Sequence, residues 1–427
     1  MREMKDSGIA WIGVIPQDWE IVRTKSLYCS AKEIAGDRAD DFERLALTLN
    51  GVIKRSKEDS VGLQPEKFSG YQILKKGELV FKLIDLENVA TSRVGLSPYT
   101  GIVSPAYIVL SKQSRAKDLV VRYSMYHFLS MWQREIFNQM GDNGVRSSLN
   151  TKELLNIPLP SVCEQKRIVT FLDAQCAEID TVLEKTRASI EEYKKLKQAV
   201  ITQAVTKGIR GDRPMKDSGI EWIGEIPAEW KVNLIKNVAT TGSGGTPESG
   251  NPSLYDGDIN WICSYDLKER PITKSERRLT QLGADSIAGN VQLKGSVLVA
   301  MYGGSGTIGN SGILECEAKT NQAICSIKFN NGYITDYFGF YYILSIRKYW
   351  MLFAVGTRKD PNISQDIVRK MPCILPPIAE QEEIVAYCNK ACDQLDTLIT
   401  KKQQYLTEIE NYKKSLIYEY VTGKREV

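Results

Sequence analysis

The chain has 427 residues, a formal net charge of +4, 42% hydrophobic and 25% charged residues. That length exceeds what one core usually fills, so two or more domains are expected, and the composition is ordinary for a globular protein, so disorder is not the default. The mild positive charge permits a polyanionic partner without establishing one.

No run of about 18 apolar residues occurs and the start, MREMKDSG, lacks the apolar core of a signal peptide, so a cytoplasmic protein without membrane association is expected. The nine cysteines are scattered and form no C-x-x-C, as in a reducing compartment. Cys388 and Cys392, one helical turn apart, read as packing residues. The single histidine, His127, lies in the apolar run YSMYHFLSMW as a partly buried polar residue, and its solitude excludes a histidine-rich metal site.

The chain opens with MKDSGIAWIGVIPQDW (Met4 to Trp19), and this segment returns as MKDSGIEWIGEIPAEW (Met215 to Trp230), twelve of sixteen positions being identical at an offset of 211. Trp11, Ile12, Ile15, Pro16 and Trp19 read as apolar anchors that dock on the end of a helix. A variable middle follows each copy, residues 20 to about 155 and 231 to about 370. Both middles mix β-type runs, such as GELVFKLI, GIVSPAYIVL, GSVLVAMYGG and NQAICSIKF, with one helical stretch, YSMYHFLSMWQREIF or YFGFYYILSIRKYW. Each is long enough for an independent domain.

A second pair of repeats closes each unit, EQKRIVTFLDAQCAEID from Glu164 and EQEEIVAYCNKACDQLD from Glu380, at an offset of 216. Both follow proline stops, IPLP and LPP, and both lack proline and interior glycine for about forty residues, which predicts two helices of roughly 60 Å. A 3-4 spacing places Ile168, Leu172, Gln175, Ile179, Val182, Thr186, Ser189, Tyr193, Leu196 and Val200 on one seam. The same frame in the second helix gives Ile384, Cys388, Ala391, Leu395, Leu398, Lys402, Tyr405, Ile409, Tyr412 and Leu416. Two equal helices with matching seams predict a coiled coil, antiparallel if both belong to one chain. The expected fold is α+β: two α/β domains separated by the two helices, with a pseudo-two-fold internal repeat, an unlike head at each end of the strut, and termini that meet. The boundaries expected are 1–160, 161–210, 211–377 and 378–427: leading segment with first domain, central helix, second leading segment with second domain, and closing helix.

Catalytic motifs fail on inspection. GSGTIG (Gly304 to Gly309) spells G-x-G-x-x-G, but a turn and a strand are expected after it where a cofactor site needs a helix N-terminus. GSGG at Gly242 has no following G-K-[ST], and NPSLY from Asn251 lacks the second proline of a base-gripping N-P-P-[YF]. No carboxylate spacing matches a nuclease metal cluster. Basic residues mixed with hydrogen-bonding ones do occur in turn-rich parts of both middles: KRSK at Lys54, TSR at Thr91, GDNGVRSS around Arg146 and GTRKDPN around Arg358. Arginine offers a fork to guanine or phosphate, and lysine a point charge.

The tandem MKDSGIxWIGxIPxxW segments, the closing phrases LPSVCEQKRI and LPPIAEQEEI, and the interior phrases SGGTPESGNPSLYDGDINWI, GIVSPAY and GVRSSLN together resemble the specificity subunit of type I restriction-modification systems, over nearly the whole chain. The resemblance implies two target recognition domains, each reading one half of a bipartite DNA sequence, with the coiled coil fixing the spacer. It implies a subunit that is not itself an enzyme and carries no cofactor or metal. Its implied partners are double-stranded DNA, two methyltransferase subunits with adenosylmethionine, and two restriction subunits that use ATP and magnesium. On that basis Lys54, Arg55, Lys57, Lys82, Arg93, Tyr99 and Arg146 are the expected DNA contacts of the first domain. Those of the second are Ser243, Thr246, Ser264, Tyr265, Lys268, Tyr302, Arg358 and Lys359. Lengthening either helix by a turn should change the spacer and leave the half-sites alone. Periodicity alone equally permits a non-catalytic coiled-coil adaptor with two protein-binding heads, and a self-contained methyltransferase or nuclease is opposed by the missing motifs.

Overall fold

The computed structural model describes residues 2–30, 32–49, 51–58, 67–83, 93–139, 156–303, 306–356 and 361–427. The chain is α+β and divides into two compact units, Met1–Arg187 with Gln404–Val427, and Ala188–Gln403. Each unit therefore takes one half of each long helix, Val162–Lys207 and Ile378–Val421.

In the first unit the leading segment forms a hairpin, Met4–Asp6 against Val14–Pro16. Gly8 sits at φ 68° and its amide bonds the Asp6 carboxylate at 3.0 Å. In the second unit Met215–Asp217 pairs with Glu225–Pro227, Gly219 has φ 72°, and its amide bonds Asp217 at 3.0 Å. A left-handed residue after an aspartate that accepts its amide requires the D-x-G spacing, which is one reason that the words of this segment recur.

Next in each unit comes a strand that pairs with the strand leading into a long helix: Glu20–Arg23 with Asn156–Leu159, and Lys231–Leu234 with Pro372–Leu375. Pro158 and Pro372 thus lie in two-stranded pairings, where a missing amide is tolerated, while Pro160, Pro376 and Pro377 follow the strands and precede the long helices. Between these brackets the units diverge. The first holds two four-stranded sheets, ordered Gly51–Arg55, Arg44–Thr48, Gly101–Val103, Gln72–Leu74 and Tyr28–Cys29, Ile108–Lys112, Leu79–Lys82, Arg93–Leu96. The second holds a five-stranded sheet, ordered Ala239–Ser243, Ile324–Phe329, Val297–Ala300, Ser311–Leu314, Pro271–Ile272. Beside it lies a three-stranded sheet of Arg277–Leu279, Tyr255–Ile262 and Lys319–Thr320.

Each unit also carries a helix of intermediate length, Val121–Gln133 or Asp336–Ser345, besides shorter helical turns. A buried glutamine ties it to the adjoining long helix. Gln165 accepts from the Val120 amide at 2.8 Å and donates to the Asp118 and Pro160 carbonyls. Gln381 accepts from the Thr335 amide at 2.8 Å and donates to the Tyr333 and Pro376 carbonyls. Val120 and Thr335 are the N-cap residues of these two helices, so one amide side chain satisfies a helix start that neither cap serves with its own side chain.

The leading segment packs as expected. In the first unit Ile12, Ile15 and Trp19 share a core with Ile168, Leu172, Leu416, Ile417 and Val421. Tyr418 donates its hydroxyl to the Trp11 carbonyl at 3.2 Å, and Lys424 reaches the Ile12 carbonyl at 2.7 Å. The termini meet there, Arg2 lying 4.0 Å from Glu426. In the second unit Ile223, Ile226 and Trp230 join Ile201, Val205, Ile384 and Cys388.

The long helices pair antiparallel in each unit. In the first, Asp180 meets Lys413 at 2.6 Å and Arg187 meets Glu410 at 2.5 Å. In the second, Lys197 meets Asp396 at 2.6 Å and, just beyond the helix end, Arg210 meets Glu383 at 2.7 Å. As one residue number rises its partner's falls. The expected seam needs correction, however. Val182 is 38% exposed whereas Leu183 is 4% exposed, and Leu398 is 43% exposed whereas Ile399 is 9% exposed. Leu196, Tyr405 and Tyr412 are likewise exposed, and Cys176 and Ile190 are buried. The buried frame steps through Ile168, Leu172, Cys176, Leu183, Thr186, Ile190 and Ile201 at close to the 3.6-residue period of a straight helix. The 3-4 frame averages nearer 3.5 and slips by one position within a few turns.

Candidate nucleic-acid interface

In the first unit the sequence-predicted residues fall on three places. Lys54 is exposed and next to last in the edge strand Gly51–Arg55, ion-pairs with Glu43 at 2.5 Å, and lies 5.2 Å from the ring of exposed Tyr99. Arg55 follows it on the same half-exposed strand end. Lys57 turns inward, donating to the Ala39 carbonyl at 2.9 Å and to Asp40, so its charge braces a turn. Lys82 and Arg93 are direct cross-strand partners in the other sheet. The structure thus brings together Lys54 with Tyr99, and Lys82 with Arg93. Arg146 lies outside the described residues, as do Arg358 and Lys359.

The second unit gathers its predicted residues more tightly. Ser243 ends the strand Ala239–Ser243, and its hydroxyl faces the Gln322 carbonyl at 3.4 Å. Thr246 donates to Gln322 Oε1 at 2.5 Å, and Tyr302 shares a hydrogen bond with the same side chain. The segment Ser243 to Thr246 and the loop at Tyr302 therefore meet the loop of exposed Gln322. Gly244 fits that convergence because a Cβ there would lie 1.7 Å from the Thr320 carbonyl oxygen. Parallel pairing of Tyr255–Ile262 with Lys319–Thr320 brings the strand ends side by side, the Asn321 amide bonding the Ile262 carbonyl at 3.0 Å. Ser264 and Tyr265 follow in the turn Ser264–Asp266 and so adjoin the Gln322 edge. Tyr265 hydrogen-bonds the Cys263 thiol, whose pKa burial pushes up to about 11.

Lys268 opens a feature that the residue choice missed. The run KERPITKSERR from Lys268 to Arg278 holds five basic and two acidic residues, and four of its cations line an open groove of about 750 Å³. Charge density over eleven residues was the available signal. Gln322 carried none, since a single glutamine after a strand is unremarked until other loops meet it.

Two of the candidate motifs resolve as structure. The last residues of GSGTIG, Thr307 to Gly309, form a turn, and the chain then enters the strand Ser311–Leu314. Asn251 of NPSLY caps a short turn, accepting from the Ser253 amide at 3.1 Å. Among the described residues no cluster of histidine, cysteine, aspartate or glutamate is arranged to hold a metal ion, and no helix is long and apolar enough to cross a membrane.

A family profile described as "Type I restriction modification DNA specificity domain" matches residues 227–411, which span the second unit's sheets and most of the closing helix. The MjaVIII specificity subunit of a type I restriction enzyme from Methanocaldococcus jannaschii is 24% identical, covering 97% of this chain and 94% of its own length. Over nearly its whole length the chain is similar to specificity subunits of type I restriction enzymes. The EcoKI specificity subunit of Escherichia coli K12 is 21% identical over 64% of this chain and 58% of its own length. A solved structure described as underlying complex assembly and conformational transition of the type I system shares the fold with TM-score 0.71. It has 14% identity and covers 96% of this chain and 99% of that one. The matched residues include both the Gln322 edge and the basic groove.

Proposed function

We infer that this chain is the DNA-recognition subunit of a type I restriction-modification assembly, that each unit reads one half of a bipartite target, and that the paired helices set the unspecific spacer. The observation that carries the reading is the doubled scaffold: the same hairpin, edge pairing, glutamine tie and helix halves are built twice around unlike sheets. Matched brackets around divergent inserts are what two readers of different half-sites require. Exposed hydrogen-bonding side chains at strand ends supply base contacts, and arginine and lysine supply phosphate contacts.

In this reading the chain is not a catalyst. Methylation belongs to two methyltransferase subunits holding adenosylmethionine, and cleavage with translocation to two restriction subunits using ATP and magnesium. The chain itself needs no cofactor. Mapping methylated adenines in the genome of a host expressing the chain with its methyltransferase should give one asymmetric motif of two specified blocks separated by a fixed gap. A single continuous motif, or methylation without sequence preference, overturns the reading. Insertion of four residues into the first long helix should change the gap and neither block.

A further inference from the structure

We propose that the groove formed by residues 266–278 is a DNA-backbone docking surface, in which Arg270, Lys274 and Arg278 each contact a phosphate. The proposal rests on the DNA-recognition reading above and assigns it a gripping surface.

The groove is charged out of proportion to the chain. Its ten lining residues include four cations, Lys268, Arg270, Lys274 and Arg278, and two carboxylates, Asp266 and Glu276, for a local net of +2. The whole 427-residue chain carries only +4. Both carboxylates are already occupied. Asp266 is half-buried and accepts from the Cys263 amide at 2.8 Å, closing the turn Ser264–Asp266, while Glu276 pairs with Lys268 at 3.4 Å. Arg270, Lys274 and Arg278 are exposed and have no ion pair among the described residues, so three positive charges face an open groove.

The platform is braced. Pro271–Ile272 pairs with Ser311–Leu314, and Arg277–Leu279 pairs with the strand Tyr255–Ile262. Between them buried Ser275 accepts from the Trp261 amide at 3.1 Å and donates to the Arg277 carbonyl at 2.5 Å. The backbone is fixed while the three long side chains stay free to turn.

That combination favours phosphate. Base readout needs a side chain held in one direction, as Gln322 is held by Thr246, whereas a phosphate accepts a donor from many directions. A protein partner would need an apolar anchor, and Ile272, the groove's only aliphatic side chain other than Pro271, is 5% exposed. The groove also begins at Asp266, where the turn carrying Ser264 and Tyr265 ends, so it continues the edge that adjoins Gln322.

The test uses the full chain assembled with its methyltransferase, on duplexes with and without the mapped target. In the triple variant Arg270→Gln, Lys274→Gln, Arg278→Gln, the slope of log binding constant against log salt should become shallower by about 2.7, at about 0.9 per phosphate. Target and scrambled duplexes should weaken alike and the methylated motif should stay unchanged. Lys274→Gln alone should shift the slope by about 0.9, which keeps the test available if the triple variant misfolds. A variant with Arg270→Lys and Arg278→Lys keeps the charge and should keep both slope and motif. An unchanged slope, a loss confined to the target, or an altered motif in the lysine variant overturns the assignment. A wild-type assembly that fails to prefer its target overturns instead the recognition reading on which it rests.

Discussion

The indole Nε1 of Trp230 donates to Oε2 of Glu380 at 3.0 Å, joining the second leading segment to the first turn of the closing helix. Arg213 lies 5.1 Å from the same indole and reaches the same carboxylate at 2.5 Å. The first unit repeats this clasp with Trp19, Glu164 and Arg2, at 3.2 Å and 2.5 Å. Glu380 is nearly fully buried and Glu164 somewhat less so. Removing one member of a buried pair strands the other charge, at about 3–5 kcal/mol. Glu380→Ala should therefore destabilise the second unit by about 3 kcal/mol, and Glu164→Ala by less. Urea unfolding followed by tryptophan fluorescence checks both, and equal small losses would show the clasp to be dispensable.

Gln381 makes the second prediction. Its amide is fully buried and serves one donor and two carbonyls from different segments. Gln381→Ala leaves the Thr335 amide without its acceptor in a dry site, at about 1–3 kcal/mol for a buried unsatisfied group. Gln381→Glu should also destabilise, because a carboxylate keeps the acceptor and loses both donated bonds. Thermal melts of the two variants should fall below wild type. A Gln381→Glu melt equal to wild type would mean that the donated bonds are idle.

These two ties show what was legible in the sequence. The repeated E-Q at Glu164–Gln165 and Glu380–Gln381 was visible as repetition, and its role was not, because apart from the Pro160 and Pro376 carbonyls the partners come from segments 45 to 167 residues away. The leading segment's Ile12, Ile15 and Trp19 could be read as anchors since large apolar side chains in a short polar context have few other uses. The strand content and the two long helices followed from periodicity and proline placement. Contacts of Ser243, Thr246 and Tyr302 with Gln322 did not, since loop convergence depends on sheet order, which local pattern does not encode. The basic groove was legible as charge and was passed over because a charged run is usually only solvated.

His127 yields a pH prediction. Its ring is fully buried, 5.4 Å from Trp11 and 5.7 Å from Phe128, and burial pushes its pKa down from 6.5 to about 3. The unfolded chain binds a proton near pH 6.5 that the folded chain refuses until about pH 3. The stability tied to this neutral ring is thus complete above pH 6.5 and is lost as pH falls below it, at about 1.4 kcal/mol per unit. Between pH 7 and 5 the loss should be about 2 kcal/mol. Urea midpoints of wild type and His127→Phe at both pH values test this, the difference cancelling carboxylate titrations common to both. Parallel pH dependence in the two proteins would refute it.

The seam of the paired helices can be tested at adjacent residues. Leu183 and Ile399 are buried, whereas their neighbours Val182 and Leu398 are exposed, although a strict 3-4 frame from Ile168 or Ile384 selects the neighbours. Truncating a buried leucine or isoleucine removes its transfer free energy and leaves a cavity, at about 2–5 kcal/mol. Truncating an exposed aliphatic usually changes stability by less than about 0.5 kcal/mol. Leu183→Ala and Ile399→Ala should therefore lower the urea midpoint clearly, while Val182→Ala and Leu398→Ala leave it nearly in place. The interhelical ion pairs will not compensate. Lys197 with Asp396 and Lys413 with Asp180 each have a carboxylate more than half exposed, and such pairs contribute about 0–1 kcal/mol. Losses concentrated at Val182 and Leu398 would restore the 3.5-residue frame and require the two helices to supercoil more tightly than a 3.6-residue period allows.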